Sequence, residues 1–273
     1  MMPMPLPAGF EERHTAVNIA NYLKDATEKW LLSSEKVIAC VHDNAANMVL
    51  ANQSLWESVP CFAHTLQLAI NEGFNVAIVK NVIAASSRLV SHFPYSTVAT
   101  AALRQKQQEQ NMPKHKLIQH CLTRWNSVCD MFERLLEQRW AVCAVLSDRN
   151  VTKLADAGTL DLKDEHWEIV EELAPVLKSL KCATTAMCSE THVSISMVYP
   201  ITHSLIARHP NTQRGESTRV SELKNAVAES LKRRIVAEDA EKVYLPLIAA
   251  ALDPRHKHLK FFETELQERV KRI

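Results

Sequence analysis

The stretch "KVIACVHDNAANMVLANQSLWESVPCFAH", residues 36–64, determines the fold predicted for the start of the chain. Two short apolar runs, "KVIACV" and "SVPCFAH", flank "NAANMVLANQSLW", in which apolar residues recur at helical spacing. A strand, a helix and a second strand in this order favour parallel strands, because parallel strands need a crossover between them. "KVIACV" is apolar on both faces, so we expect it to be a buried central strand.

Helical patterns surround this stretch and occupy the rest of the chain. Upstream, "HTAVNIANYLKDATEKWLL" predicts an amphipathic helix with Thr15 as its cap. From Thr65 onwards we predict no further strand. The later helical patterns cover residues 65–91, 96–110, 123–148, 164–187, 193–208, 218–238 and 241–251. The predicted breaks between them are Pro94, Pro113, Gly158, Pro210, Gly215 and Pro254.

Composition supports a mainly α protein with a real core. The chain has 273 residues, of which 47% are hydrophobic, enough for one large domain or two ordinary ones. Only 4 Gly and 6% aromatic residues favour helices over a turn-rich β architecture. No secretory signal pattern and no stretch of about 18 uncharged apolar residues is found, so we expect a soluble intracellular protein without a membrane segment.

Charge excludes nucleic-acid binding through a global field, but it leaves room for a local patch. The 32 Lys and Arg balance 31 Asp and Glu, which gives a net charge of +1. Residues 104–124 are an exception, because they hold a cluster of positive side chains against the single acid Glu109. Its members are Arg104, Lys106, Lys114, Lys116 and Arg124. These five residues are candidate DNA contacts.

Trp125 ends the basic run and admits two interpretations. Thr123 is a plausible cap for the helix that starts here, with Arg124 and Trp125 in its first turn. The indole could stack on a base while the Arg124 guanidinium holds a phosphate. Alternatively, Trp125 is a core residue and Arg124 extends to solvent. The residues alone favour the core interpretation.

Asp43 is a candidate metal ligand because it follows a predicted parallel strand, where open α/β sheets place their ligands. Two-metal phosphoryl transfer needs several converging carboxylates, and the sequence supplies no obvious partners for Asp43. The residues alone therefore favour Asp43 as a cap of the helix that begins in "NAANM".

Cys61 and His64 form a C-x-x-H spacing at the predicted junction of strand and helix. They could be half of a zinc site, a Cys–His catalytic pair, or a buried cysteine with a hydrogen-bonded histidine. No second ligand pair stands at zinc spacing, so the buried, architectural interpretation is favoured. The odd number of cysteines, 7, and their helical surroundings predict buried free thiols in a reducing compartment.

Four stretches together resemble the hAT transposase superfamily, especially the domesticated members carried by BED-type zinc-finger proteins of vertebrates. They are "VHDNAANM", "VPCFAHTLQLAINEGF", "CLTRWNSVCDMFERLL" and "AAALDPRHKHLKFF". Their order and spacing are similar to the family's over nearly the whole chain. The resemblance implies an RNase H-like core interrupted by a large helical insertion. We accordingly expect a partial RNase H-like piece in residues 1–64 and the helical insertion domain in residues 65–273.

The resemblance also implies roles for individual residues. Asp43 matches the second acid of the family's Asp-Asp-Glu metal triad. Cys61 and His64 match the C-x-x-H motif where the core passes into the insertion, which implies a structural role without metal. Arg124 and Trp125 match the Arg-Trp pair implicated in holding the DNA end and its flipped base.

Departures from the family pattern shape the functional expectation. The strand with the first triad acid, the segment with the triad glutamate and the dimerisation region, and a BED finger are not found, as if the chain were truncated at both ends. With one triad acid of three, we expect no enzyme activity and no complete magnesium or manganese site. We expect a nuclear, DNA-associated regulatory remnant of a transposase. The alternatives are a helical protein-interaction module without DNA contact, or an incomplete gene-model fragment.

Overall fold

Helices dominate the computed structural model of the protein, and its described part contains one pair of short parallel strands. The structure describes residues 12–121, 123–188, 195–207, 217–235, 245–256, 258, 261, 267 and 268. Contacts between Cα atoms divide the chain into two compact units, Met1–Thr65 and Leu66–Ile273. The predicted mainly α fold with a small α/β piece is confirmed.

The first unit contains the predicted strand, helix and strand. Its elements are α1 (Ala16–Lys29), a 3₁₀ turn (Ser34–Lys36), β1 (Ala39–His42), α2 (Ala46–Asn52) and β2 (Glu57–Pro60). The strands pair in parallel, from Ala39 opposite Glu57 to His42 opposite Pro60. Thr15 caps α1 as predicted, because its hydroxyl oxygen accepts from the backbone N–H of Asn18 at 3.3 Å.

The prediction that "KVIACV" is a buried central strand is wrong. Val41 is 60% exposed, although its register partner Val59 is only 3% exposed. Ile38, just before β1, is 72% exposed. In the sheet that the described residues form, β1 has a neighbour on one side alone, so it is an edge strand and its apolar side chains are only partly covered.

Helices make up the described part of the second unit. The first, α3 (Phe62–Phe74), begins in the preceding unit and continues into this one. The others are α4 (Ala77–Tyr95), α5 (Thr97–Glu109), α6 (Asn126–Ser147), α7 (Leu154–Leu160), α8 (Asp164–Met187), α9 (Val198–Ala207), α10 (Thr218–Ile235) and α11 (Leu245–Leu252). No single described helix is long and apolar enough to cross a bilayer, and α3 and α4, which would suffice together, are bent by 95°.

The packing of α6 against α8 forms the centre of this unit's core. Phe132 and Leu135 on α6 and Ile169, Leu173 and Leu177 on α8 are all fully buried. Their spacing of three or four residues places them on one face of each helix. Each such side chain contributes about 1.5–3 kcal/mol by leaving water.

Several predicted helix boundaries need correction. The pattern at 65–91 is two helices, because the chain turns at Asn75 and Val76 between α3 and α4. Pro94 lies inside the last turn of α4, and Gly158 lies inside α7, so neither is a break. The predicted breaks at Pro210 and Gly215 lie outside the described residues.

A close approach of α3 to α10 occurs at Gly73. A Cβ atom at this position would lie 2.9 Å from Cγ2 of Val227 and 3.4 Å from the carbonyl oxygen of Leu223. Val227 is only 1% exposed, and its β-branched side chain has little freedom to move aside. Gly158, in contrast, has nothing within 4 Å of such a Cβ.

We predict opposite effects of alanine at these two glycines. Gly73→Ala should lower the free energy of unfolding by about 1–2 kcal/mol, because overpacking outweighs the gain in helix propensity. Gly158→Ala should raise it by about 0.5–1 kcal/mol, because alanine favours the helix and meets no neighbour. Urea denaturation measures both values, and a Gly73→Ala protein as stable as the wild type would contradict the close approach.

Candidate nucleic-acid interface

The basic segment, residues 104–124, comprises the end of α5 and the connection to α6. Between Met112 and His120 it forms no helix or strand, and its one bridge pairs Cys121 with Arg124. Backbone N–H and carbonyl groups outside helices and sheets need other hydrogen-bond partners, because leaving a buried amide or carbonyl unpaired costs free energy. In this segment side chains of the neighbouring helices supply them.

Two buried glutamines hold the first part of the segment. Nε2 of Gln107 donates to the carbonyl oxygen of His115 at 2.8 Å and to Oε1 of Gln138 at 2.8 Å. Nε2 of Gln138 donates to the carbonyl oxygen of Pro113 at 3.1 Å. Gln107 is 1% exposed and Gln138 is fully buried. This amide pair therefore ties the backbone of residues 113–115 to both α5 and α6.

Two further hydrogen bonds hold the middle of the segment. Nη1 of Arg134, on α6, donates to the carbonyl oxygen of Lys116 at 2.5 Å. Nε2 of Gln119 donates to Oγ of Ser87, on α4, at 2.6 Å. Residues 113–119 are consequently attached to α4, α5 and α6, although they have no regular secondary structure themselves.

The predicted cap Thr123 is wrong, because α6 begins at Asn126 and Trp125 occupies its N-cap position without a side-chain capping bond. The carbonyl oxygen of Thr123 instead accepts from Nε2 of Gln67, on α3, at 3.0 Å. Oγ of Ser127 accepts from the backbone N–H of Cys121 at 2.7 Å. Ser127, the second residue of α6, thus closes this bend from inside the helix. No local capping pattern in the sequence indicates this role.

The positive side chains of the segment differ in their surroundings. Arg104, Lys114, Lys116 and Arg124 are exposed, whereas Lys106 is half-buried and pairs with Glu109 at 3.0 Å. The structure brings Arg104, Lys114 and Lys116 together around one cavity. Within the described part of the chain, the side chains of Arg104 and Lys116 make no hydrogen bond or ion pair.

His115 carries an interaction that sequence reasoning missed. Its Nδ1 lies 2.9 Å from Oε1 of Glu137, whose other oxygen accepts from Nε of Arg134 at 2.8 Å. Burial acts to raise the pKa of Glu137, but the hydrogen bonds from His115 and Gln138 and the nearby positive charges outweigh it, so the pKa lies below its ordinary value. The Glu137 carboxylate thus stays charged and fixes His115.

Trp125 lies in the interior, with 4% of its surface exposed. It forms part of the wall of a second cavity of about 540 Å³, together with Phe74, Ile83 and Val128. Arg124, in contrast, is exposed to solvent. This geometry is the one expected of a core tryptophan beside a solvent-exposed arginine.

In the first unit, Asp43 is exposed and follows β1 as predicted. Its Oδ1 accepts from the backbone N–H of Ala45 at 3.2 Å. Ala45 is the N-cap of α2 and makes no side-chain capping bond, so Asp43 stabilises the turn before the helix and not the helix's first turn. The prediction that Asp43 caps this helix is therefore wrong. Nowhere in the described residues do three or more His, Cys, Asp or Glu side chains form a group that could hold a metal ion.

His42 and Ser58 form a polar pair that the sequence analysis did not single out. Nδ1 of His42 accepts from the backbone N–H of Asn44 at 3.1 Å, and Nε2 is hydrogen-bonded to Oγ of Ser58. Because Nδ1 is an acceptor, a neutral ring carries its proton on Nε2 and donates it to Ser58. In this tautomer the imidazole cannot take the serine proton. The pair therefore joins β1 to β2 and is not an activated nucleophile.

Cys61 acts through its backbone. Its N–H donates to the carbonyl oxygen of His42 at 2.7 Å, and its carbonyl oxygen accepts from the N–H and Oγ1 of Thr65 at 2.9 and 3.0 Å. Cys61 and His64 are both half-buried, and the side chain of His64 makes no hydrogen bond in the described structure. The predicted hydrogen-bonded histidine is therefore wrong. The position joins the end of β2 to the start of α3.

All seven cysteines lie in the described residues and none forms a disulfide. Burial raises the pKa of Cys129 to about 11, and it also raises the pKa of the half-buried Cys40 and Cys143. The prediction of buried thiols is only partly right, because Cys121, Cys182 and Cys188 are exposed. The Thr123 hydroxyl, 3.2 Å from Sγ of Cys121, lowers the pKa of that thiol.

Parts of the chain are similar to known proteins. Residues 59–176 match the family model of the ZBED1 RNase-like helical domain. The chain is also 26% identical, over 243 residues, to the human zinc finger BED domain-containing protein 4. That alignment covers 88% of this chain and 20% of the human protein, so the chain spans about a fifth of the length of this curated relative.

Removal of one buried amide should release the basic segment. Gln138→Leu removes the acceptor of one Gln107 amide hydrogen and the side-chain donor to the carbonyl oxygen of Pro113, which should lower the free energy of unfolding by about 1–3 kcal/mol. Trypsin cleavage after Lys114 and Lys116 should also become faster, because the backbone there is no longer held. Denaturant melts and timed proteolysis measure the two effects.

The matched control is Gln110→Leu, at an exposed glutamine whose side chain makes no hydrogen bond in the described structure. We expect its stability to stay within about 0.5 kcal/mol of the wild type. Equal stability of the two variants would refute the role given to the amide pair.

Proposed function

Because the chain is related to the hAT-derived BED-type zinc-finger proteins, we propose that it is a nuclear, DNA-associated regulatory protein without nuclease activity. The basic segment supplies the DNA contact. Arg104, Lys116 and Arg124 bind phosphates from exposed positions on this segment. The observation that carries the proposal is a positive surface whose backbone is already fixed.

Electrostatics supports a local phosphate contact. With a net charge of +1, attraction to DNA has to come from a cluster and not from the whole molecule. Arg104 and Lys116 make no ion pair in the described structure, so DNA phosphates would not have to displace a carboxylate from them. Arg104 lies on α5, and the backbone at His115 and Lys116 is held by Gln107 and Arg134, which lowers the ordering cost of binding.

The chemistry of Asp43 supports the proposal of inactivity. Metal-assisted phosphoryl transfer requires several carboxylates around the ions, because one carboxylate can neither hold nor balance two divalent cations. The Asp43 carboxylate is exposed and bonded to the N–H of Ala45. A carboxylate in this setting stabilises a turn.

One observation favours a second candidate, a helical protein-interaction module without DNA contact. Trp125 is 4% exposed, so the residue that would stack on a base belongs to the core in the unbound protein. In that case the basic residues are solvated helix and loop side chains. The two candidates differ in the salt dependence of DNA binding.

DNA binding should depend on salt and on two particular cations. We expect a short duplex to bind at low ionic strength, with an affinity that falls steeply towards 200 mM salt. The double variant Arg104→Gln, Lys116→Gln should bind more weakly, and its log–log salt slope should be smaller by about 1.8, roughly 0.9 for each lost phosphate contact. Fluorescence anisotropy titrations at several salt concentrations give these slopes.

The control is Arg149→Gln, Lys153→Gln, which removes two exposed charges between α6 and α7 and leaves the net charge equal to that of the test variant. Its slope should match the wild type. No duplex binding at low salt, or the same loss in both double variants, would favour the protein-interaction module over the DNA-associated protein.

Incubation with magnesium or manganese should leave plasmid and oligonucleotide DNA uncut, because one carboxylate cannot assemble the metal site. The rate should equal that of Asp43→Ala protein purified in parallel. Cleavage by the wild type that disappears in Asp43→Ala would overturn the proposed inactivity, whatever the outcome of the binding titrations.

A further inference from the structure

A cavity of about 520 Å³ opens between the end of α4, α5 and the basic segment. Phe93, Leu103 and Leu117 form apolar parts of its wall, and the first two are 3% and 4% exposed. The volume lies within the range of roughly 300–1,000 Å³ that small-molecule sites occupy. The resemblance to transposases assigns no role to this cavity.

The rim of the cavity is positively charged. Arg104, Lys114 and Lys116 are exposed at its edge, and Lys114 donates only to the neutral amide oxygen of Gln108, at 3.1 Å. The side chains of Arg104 and Lys116 have no hydrogen-bond or ion-pair partner in the part of the chain that the structure describes. The nearby acid Glu109 is paired with Lys106. An anion at the rim would therefore meet uncompensated charge.

The wall formed by the basic segment is fixed in advance. Gln107, which lines the cavity, holds the carbonyl oxygen of His115, and Arg134 holds that of Lys116. His115 is itself fixed by Glu137. A site whose wall does not have to be ordered on binding loses less entropy when the ligand enters.

An apolar interior below a positive rim fits a ligand with a flat, weakly polar body and a negatively charged end. We propose that the cavity takes one unpaired nucleotide of a DNA strand, with its base between the apolar walls and its phosphates at Arg104 and Lys116. A paired base inside a duplex cannot enter, so the site would select strand ends and overhangs. This inference rests on the proposed DNA association, and it adds which form of DNA the protein prefers.

The test compares two DNAs of equal charge. One duplex carries a three-nucleotide overhang with bases, and the other carries the same overhang with abasic nucleotides. We expect the wild type to bind the first about tenfold more tightly, the effect of stacking one base. Ala101→Trp places an indole in the cavity from an exposed position on α5 and should abolish this preference while duplex binding remains.

Val98→Trp is the matched control, because Val98 is 57% exposed on the same helix and does not line the cavity. This variant should keep the tenfold preference. Thr97→Trp, a second exposed position on the cavity wall, repeats the filling experiment independently. Thermal melts of all three variants show that any loss of preference comes from a folded protein.

The outcomes separate this inference from the proposed function. If no DNA binds at low salt, the proposed function fails and the inference fails with it. If both overhangs bind equally, or the preference survives Ala101→Trp and Thr97→Trp, the nucleotide site is overturned while DNA association stands. The nucleotide site would also be overturned if an acidic peptide with a central aromatic residue bound more tightly than the overhang DNA and lost this binding in Ala101→Trp. That result would assign the cavity to a protein partner.

Discussion

A hydrogen bond between two buried amide side chains, Gln107 on α5 and Gln138 on α6, is the interaction on which the candidate interface depends. The remaining amide hydrogens of the pair hold the backbone carbonyls of Pro113 and His115. A connection of this length without helix or strand would otherwise be mobile. The buried amides hydrogen-bond its backbone on the protein side, and its charged side chains extend into solvent. This amide pair therefore couples the core of the helical unit to the positive surface, and Arg134 and Gln119 add further attachments.

Arg124 and Trp125, to which the family resemblance gave a joint role, differ in their exposure to solvent. Arg124 is exposed and Trp125 is buried, so charge and aromatic ring do not present one face in the unbound protein. Among the described residues, Arg104 and Lys116 are side chains without an ion pair that the structure groups together, and they border a different cavity from that of Trp125. Phosphate binding by this protein would consequently depend more on the connection between α5 and α6 than on the first turn of α6.

In the first unit, conspicuous polar residues stabilise the backbone where the strands end. His42 joins the two strands through Ser58 and accepts from the N–H of Asn44, which adopts the left-handed conformation with a φ of 64°. Asp43 closes the next turn at Ala45, and Cys61 continues the hydrogen bonding into α3. Residue types that are common in catalytic and metal sites thus form hydrogen bonds here with backbone groups at the ends of the strands.

Local patterns in the sequence determined the strand–helix–strand order, the cap at Thr15 and most of the long helices, since periodicity and capping act within a few residues. They also located the positive charge at residues 104–124. Tertiary structure decided the rest: whether Trp125 is core, that Ser127 and Gln67 support the bend where Thr123 was expected to cap, and that Gln107 meets Gln138. Those outcomes depend on side chains brought together from different helices, and a contact between positions 31 residues apart leaves no mark in the spacing of either.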